Sequence, residues 1–525
     1  MPFWKKTKNQ IQTQLSQHNS DRLKDSLEEN LEDLQNIFKN DFDFSIRKFL
    51  VGHMRPAAAV YISSLVDKEV INRDVIRPLQ EATLDSSEEK ENKFLDWLLN
   101  NFLYSCDGDM VEDRATVLDA LLRGKTVLFV EGEICSIVID TYKSEKRAIQ
   151  QPETERVVRG SRDGFIEQIA SNISLLRYRI PVPEFRVEPM EIGKKTKTQL
   201  AICYLDNIAS DDLVKELKQR LERINIDRIL DAGYIEQFIQ DNPRSPFPQV
   251  QNTERPDKVV GNLLEGRVVI LVNGSPFALI VPAVFNQFYQ TSEDYNERWL
   301  ITSIIRIIRF MALIFSLTFS SLYITILSFH PEMIPAKFVV AASSGRSGVP
   351  FPVVVEVILM EVAMEILREA TVRMPQQVGG ALSIVGVLVI GQAAVLAGFV
   401  SPITVVIIAM STIGSFATPS YNAATAFRML RFPLIVLAGS FGLLGLATGI
   451  IFILNHMLGL RSFGVPYMSP VSPGNKEGIK DSIIRAPLRW LKERPSQLHP
   501  QDASRINLGS STSNGNRGGN SNEQQ

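Results

Sequence analysis

The feature that most constrains this chain is a stretch with no charged residue, which runs from Met374 to Phe427. A helix needs about 20 apolar residues to cross a bilayer. The stretch is therefore long enough for two crossings, and Ser401-Pro402 predicts a break between them because proline interrupts a helix. The sequence thus predicts an integral membrane protein, although its charged content of 22% is that of an ordinary soluble protein.

Composition divides the 525-residue chain into two unlike halves. The part before about Asn296 is charged and patterned like a globular protein, whereas apolar runs dominate after Trp299. The net charge of −2 excludes the basic footprint of a nucleic-acid-binding protein. The three cysteines form no CxxC pair, so the sequence predicts neither disulfides nor a zinc site.

Catalytic and cofactor motifs are absent from the sequence, which has no GxSxG, HExxH or GxGxxG and no histidines at metal-binding spacing. We therefore expect a protein that is not an enzyme and that needs no cofactor or metal. The N terminus is polar and lacks the apolar core of a signal peptide, so the first membrane helix is expected to direct insertion.

The first half contains an internal repeat. The segment Leu121–Asp140 aligns without gaps with Leu263–Pro282, and each indicates the end of a helix, a glycine, a strand, a tight turn and a second strand. Asn273-Gly274 is a strong signal for a type I′ hairpin turn. These observations predict an α/β cytosolic half built of two related subdomains, residues 42–150 and 151–296.

Charged residues concentrate in the linker between the two subdomains, which begins at Gln151-Pro152-Glu153 and runs to the next helix. They concentrate again in a proline-rich loop at residues 240–260. The linker charges lead into a helix expected from about Gly164, with Asp163 as its N-cap and Glu167 as a partner for a nearby arginine. A subunit interface and a salt-bridged linker explain these charges equally well. The candidate interface or gating residues are Arg159, Arg162, Asp163, Glu167, Glu254 and Arg255.

The second half, residues 297–460, is expected to be a multi-spanning α-helical membrane domain. Arginines precede its first crossing, which places the N-terminal half in the cytosol by the positive-inside rule. Residues 350–373 form an amphipathic helix, a re-entrant segment or a fifth crossing. The four other expected crossings lie near residues 310–329, 379–400, 403–420 and 433–456.

The segment 350–373 carries charges at bilayer depth. Glu361, Glu365 and Arg368 are spaced three and four residues apart and share one helical face, whereas Glu356 lies elsewhere on the helix. Charged side chains in a membrane are costly and seldom face lipid, so this face lines a pore or cavity, or lies at the membrane surface. Gln392 in the next crossing is a further candidate for the cavity, although a lone glutamine there more often makes a helix–helix contact.

The two ends of the chain are polar. Residues 1–41 form a charged extension with an amphipathic helix, for which packing on its own domain is the favoured interpretation. Residues 461–500 form a basic tail, and residues 501–525 are disordered by composition. A basic tail favours a cytosolic C terminus and hence an even number of crossings.

Several of these segments together resemble the A subunit of the GerA-type nutrient germination receptors of endospore-forming bacteria. The resemblance covers about residues 42–495, and no single motif would suffice for it. The segments that carry it are RGSRDGFIE (Arg159–Glu167), TKTQLAICYLDNI (Thr196–Ile208), Ser245–Pro282, PFPVVVEVILMEVAMEILREA (Pro350–Ala370) and IVGVLVIGQAAVLAGFVSP (Ile384–Pro402).

The resemblance implies a multi-pass subunit of the spore inner membrane whose large N-terminal half lies in the cytosol of the spore core. It implies a permease-like B subunit and a lipoprotein C subunit as partners, assembly into a homo-oligomer in membrane lipid, and a nutrient-gated ion-conducting path that triggers germination. Many relatives carry an acidic residue where this chain has Leu396, so the candidate site moves to the Glu361 and Glu365 face and to Gln392.

Two other functions remain as alternatives, a stand-alone secondary transporter and a membrane-anchored signalling protein or enzyme. A transporter is disfavoured because the membrane half is short and shows no inverted repeat, whereas the repeat lies in the soluble half.

Overall fold

Two antiparallel five-stranded sheets with the same strand order form the N-terminal half. The computed structural model describes residues 22–39, 41–83, 94–103, 108–143, 151–372 and 391–505. In the first subdomain the sheet order is β1-β2-β4-β5-β3, and a further helical segment covers residues 68–80. Its other elements are α1 (Leu27–Ile37), β1 (Phe44–Val51), β2 (Arg55–Ile62), α2 (Phe94–Phe102), β3 (Gly108–Val111), α3 (Arg114–Leu122), β4 (Lys125–Val130) and β5 (Ser136–Asp140).

The second subdomain repeats this arrangement, with the sheet order β6-β7-β9-β10-β8. The strands correspond one to one in chain order, so β4 and β5 occupy the positions that β9 and β10 occupy in the second sheet. Its elements are α4 (Ile169–Arg179), β6 (Phe185–Ile192), β7 (Thr198–Leu205), α5 (Asp211–Glu222), α6 (Ala232–Ile239), β8 (Gln251–Thr253), α7 (Pro256–Leu263), β9 (Val268–Val272) and β10 (Ala278–Val281).

Each sheet is covered by helices on both faces, which explains why its central strands are almost wholly apolar. In β9, Val268 and Ile270 pack with α5 and α6, whereas Val269 and Leu271 pack with α4 and α7. Successive side chains of a strand point to opposite faces, so the two sets form two separate cores. The first subdomain is built the same way, with α1 and α3 on one face and α2 and the 68–80 segment on the other.

The internal repeat found in the sequence corresponds to the units α3-β4-β5 and α7-β9-β10. The glycines paired in the alignment have matching conformations: φ is +78° at Gly124 and +97° at Gly266, just after the two helices. Glycine ends helices in this way because it adopts positive φ without strain.

The connection at Asn273-Gly274 is not the two-residue type I′ turn that the sequence predicts. Residues 273–277 connect β9 to β10, and the Gly274 amide donates a 2.7 Å hydrogen bond to the Glu167 carbonyl. The longer loop thus binds the linker, a contact with a segment 107 positions away that a local turn signal cannot report.

The helical half begins with α8 (Trp299–Phe329) and ends with α12 (Tyr421–Gly459), and both helices are long and apolar enough to cross a membrane. Between them lie α9 (Ala336–Arg346), α10 (Val353–Val372), helical residues 391–396 and the shorter α11 (Pro402–Phe416). The expected crossing at 379–400 lies mostly outside the described residues. The one expected at 403–420 corresponds to the 15-residue α11.

Helix α12 is two antiparallel helices joined at Gly442, where φ is +61° and ψ is −137°. A methyl group on Gly449 would lie 2.4 Å from Leu434 Cδ2, although these residues would be roughly 22 Å apart along a straight helix. The chain therefore doubles back, and we call residues 421–441 the first arm and residues 443–459 the second arm. The expected crossing at 433–456 spans this break and is not one straight helix.

The second arm returns the chain to the sheet half. His456 Nε2 lies 3.0 Å from Ser245 Oγ, and Phe247 packs against Phe427 with ring centroids 5.3 Å apart. The tail that follows packs on the second subdomain, where the Gln501 amide donates to the Ile208 carbonyl at 3.0 Å. The chain thus leaves the sheet half at α8 and returns to it after the second arm. Residues 506–525 lie outside the described part of the chain.

We predict that Gly442→Ala destabilises the helical half. An alanine at this φ and ψ costs about 1–3 kcal/mol of backbone strain, and its methyl group would lie 2.9 Å from Phe329 Cγ. The thermal midpoint of the purified full-length protein should fall, whereas Gly459→Ala, which adds a methyl group in open space, should leave it unchanged. Equal midpoints for the two variants would contradict the hairpin.

Candidate functional site

A buried ion pair lies between the apolar helices. Glu361 of α10 accepts a 2.7 Å hydrogen bond from Arg431 Nη1 on the first arm and another of 2.7 Å from Ser320 Oγ on α8. Arg431 Nη2 also donates to Ser316 Oγ at 3.0 Å. The Glu361 and Arg431 side chains are only 5% and 4% exposed. Three helices are thereby held together by one charge-assisted network.

The polar cluster continues along α10. Glu365 lies 3.6 Å from Arg428 Nε, and Arg368 Nη2 donates to Ser415 Oγ at 3.2 Å while its guanidinium stacks 4.8 Å from the centre of the Phe416 ring. Within the described residues, one nitrogen of each of the three arginines, Arg368, Arg428 and Arg431, has no hydrogen-bond partner. Three guanidinium groups and two carboxylates make up this polar cluster, which therefore carries an excess of positive charge.

The structure brings together three of the four candidate cavity residues, Glu361, Glu365 and Arg368. Gln392 is exposed on the helical residues 391–396. The arginines at 428 and 431 were not recognised as partners of the glutamates from the sequence, although their spacing of three residues places them on one helical face. Ser316 and Ser320, four residues apart, form a similar face on α8 that the sequence analysis did not single out.

Glu356 is fully buried and has a separate role. Its Oε1 is paired with Arg346 at 3.0 Å, and its Oε2 accepts hydrogen bonds of 3.0 Å from the Ser401 amide and from Thr404 Oγ1. A carboxylate at a helix N terminus is favoured by the helix dipole, so Glu356 holds the start of α11. It lies elsewhere on α10 than the Glu361 face, as the spacing predicts, but sequence reasoning gave it no function.

The candidate interface residues Glu254 and Arg255 bind the linker from inside. Glu254 accepts hydrogen bonds from the Glu153 amide at 2.7 Å and from Thr154 Oγ1 at 3.1 Å. Arg255 donates to the carbonyls of Glu155 at 3.1 Å and Ser161 at 3.0 Å. Both side chains are buried, so they fix the path of the linker and present no surface to another molecule.

Asp163 does not form the helix N-cap that the sequence predicts. Helix α4 begins at Ile169 with Gln168 as its N-cap, and Asp163 instead accepts from Arg179 Nη2 at 2.5 Å. The cap prediction was wrong because residues 164–168 remain extended: the Phe165 amide donates to the Glu254 carbonyl at 2.8 Å.

The remaining linker candidates lie at the surface. Arg159 Nη1 is 3.3 Å from Glu297, just before α8, and Glu167 is exposed and contributes its carbonyl to the Gly274 amide. Arg162 is exposed and has no ion pair within the described residues.

A second buried network joins the two halves of the molecule. Arg306 of α8 lies 2.8 Å from Asp294, at the end of the sheet half, and 2.8 Å from Asp481 in the tail. The Tyr295 hydroxyl donates to Asp481 at 2.7 Å. Burial raises the pKa of Asp481 above its ordinary value, although the positive charge of Arg306 opposes that shift. Burial, followed by the charge of Asp481, also raises the pKa of Tyr295.

Comparison with known proteins identifies the family. The model of a family described as Bacillus/Clostridium GerA spore germination protein matches residues 32–497. The chain belongs to this family. Within the described ranges, no group of three or more His, Cys, Asp or Glu residues could hold a metal ion.

Relatives within the GerA family cover almost the whole chain. Spore germination protein KA of Bacillus subtilis is 42% identical over 91% of this chain and 87% of its own length. Spore germination protein GerLA of Bacillus cereus is 36% identical over 92% of this chain and 97% of its own length. The crystal structure of the N-terminal domain of the A subunit of the Bacillus megaterium spore germinant receptor GerK3 is 34% identical, with a TM-score of 0.41, over 51% of this chain and 100% of that one.

We predict that Glu361→Gln destabilises the helical half strongly. The change leaves Arg431 buried with no carboxylate partner, which costs about 3–5 kcal/mol. Glu365→Gln is the matched control, because its carboxylate is 31% exposed and its pair contributes at most about 1 kcal/mol. Thermal unfolding of the purified protein measures both, and the double variant Glu361→Leu with Arg431→Met should recover most of the loss. Equal midpoints for the two single variants would contradict the assignment.

Proposed function

We propose that this GerA-family chain is the non-enzymatic A subunit of a nutrient-sensing germination receptor in the spore inner membrane. It assembles into a homo-oligomer and provides an ion-conducting path that opens when the receptor binds its nutrient. The observation that carries this proposal is the polar cluster of Glu361, Glu365, Arg368, Arg428 and Arg431 between apolar helices. Ionisable groups at such depth are costly in a membrane and mark ion pathways.

Helix α10 supports an oligomeric path because its two faces differ. One face carries the cluster, and the other exposes apolar side chains three or four residues apart. Such a stripe lets copies of α10 pack side by side, as in helix bundles. The exposed residues are Val355, Leu359, Val362 and Ile366, between 42% and 65% accessible.

Gating would act on the weaker part of the cluster. Glu361 and Arg431 form a close buried pair, whereas Glu365 and Arg428 are 3.6 Å apart and the Glu365 side chain is 31% exposed. A small movement of α10 against the first arm would separate Glu365 from Arg428 first, because the interaction free energy of this longer pair is smaller. The freed carboxylate and guanidinium would then line the opening.

The partners in this proposal are a permease-like B subunit that recognises the nutrient and a lipoprotein C subunit. The N-terminal half would lie in the cytosol of the spore core, where the exposed linker arginines are free to meet another subunit. Arg162 is the strongest candidate, because Arg159 already lies near Glu297.

The first test measures potassium release from spores. In a strain whose other receptors of this family are deleted, we expect release in response to one class of nutrient and none after removal of this gene. The intact gene should restore the response. Unchanged release without the gene would contradict a receptor role.

The same strain tests the ion path. We predict that Glu365→Gln changes the initial rate of nutrient-induced ion release by up to about fivefold, the factor for a partly exposed pair of about 1 kcal/mol. The protein should accumulate normally. Glu332→Gln, an exposed carboxylate after the end of α8, serves as the control. A normal rate of ion release for Glu365→Gln at a normal protein level would contradict the placement of the cluster in the conducting path.

We predict that Arg162→Ala reduces the recovery of partner subunits with this chain but not its insertion into the membrane. An arginine at an interface core contributes more than about 1 kcal/mol to binding. Arg228→Ala, an exposed arginine elsewhere in the second subdomain, is the control. Affinity capture from solubilised membranes measures both, and equal recovery would place the interface elsewhere.

A further inference from the structure

A cavity of about 340 Å³ lies between α8 and the second arm of α12. Its volume falls in the usual range of small-molecule sites, about 300–1,000 Å³. Its wall is mostly apolar, and it extends along α8 from Arg306 to Thr318, a distance of roughly 18 Å along a helix axis. The main wall residues are Phe310, Leu313, Leu317, Ile453 and Met457.

One end of the cavity is polar. Arg306 and Tyr289 line it there, and they are 96% and 92% buried. Nη2 of Arg306 has no hydrogen-bond partner within the described residues, whereas the Tyr289 hydroxyl has Thr418 beside it. Buried donors are normally paired, so an orphaned guanidinium nitrogen beside the cavity indicates a ligand with an acceptor oxygen.

The cavity opens toward the apolar outer surface of the helices. Residues at its rim come from α8, the second arm and the tail, and each is between 40% and 52% exposed. An apolar molecule that surrounds the helices can therefore enter between them. The rim residues are Ile314, Leu454, Val471 and Ile483.

We propose that this cavity binds one acyl chain of a membrane glycerophospholipid, with an ester carbonyl oxygen accepting a hydrogen bond from Arg306 Nη2. The polar end lies beside the network of Arg306, Asp294 and Asp481, and the apolar end lies deeper along α8, as the ester and the chain of such a lipid are arranged. Arg306 already has two carboxylate partners, so a neutral carbonyl suits its free nitrogen better than another anion. The site rests on the placement of α8 in a membrane, which is part of the proposed function.

The test uses the full chain reconstituted in phosphatidylglycerol vesicles that contain a phospholipid with a photoreactive group on its acyl chain. After illumination, mass spectrometry maps the labelled peptides. We expect labels concentrated on residues 310–318 and 450–457. Ile314→Trp, which fills the mouth, should reduce them at least about tenfold, equivalent to 1.4 kcal/mol of binding free energy.

Ile308→Trp is the matched control, because Ile308 is an exposed isoleucine of α8 that does not line the cavity. Leu454→Trp closes the mouth from the second arm and provides an independent variant if Ile314→Trp does not accumulate. Equal labelling of every exposed position of α8, unchanged by both plugging variants, would overturn the lipid site while leaving α8 in the membrane. No label anywhere on α8 would overturn the membrane placement as well.

Discussion

The pairing of Arg306 with Asp294 and Asp481 is the interaction on which the arrangement of the two halves depends. These three residues come from the start of α8, the end of the sheet half and the tail, and all are buried or nearly so. Removing one partner from a buried ion pair leaves an uncompensated charge, a cost of several kcal/mol. The helices therefore cannot shift relative to the second sheet unless the tail moves with them.

The second subdomain shows why parts of the fold could be read from the sequence. Strand alternation and the paired Gly124 and Gly266 report local conformation, so the repeat was visible. The length of an apolar stretch likewise predicts whether a helix could cross a bilayer. The pairing of Glu361 with Arg431 was not visible, because spacing assigns a residue to a face of its own helix but does not identify the helix opposite. The reversal of the chain at Gly442 was not predicted for a related reason: glycine permits such a reversal but does not require it.

The candidate residues illustrate a second limit. Glu254 and Arg255 belong to a charged, proline-rich segment of the kind that usually lies at a surface, and yet they are buried against the backbone of the linker. The charge of these two residues did not show whether their partner is another molecule or another segment of the same chain. For Glu361, Glu365 and Arg368 the spacing correctly placed the three side chains on one face of their helix, where they form one polar cluster with Arg428 and Arg431.

The tail has a consequence for how the protein is made. Phe463 packs into the core of the second subdomain, and the Arg220 guanidinium lies 4.0 Å from the centre of its ring. This side chain is synthesised only after the last apolar helix, which ends at Gly459. The core of the second sheet therefore lacks one side chain until the whole helical half has been synthesised. Completion of that core is thus linked in time to the end of the helical half, and a chain whose second arm is misplaced cannot bring Phe463 to its position in the core.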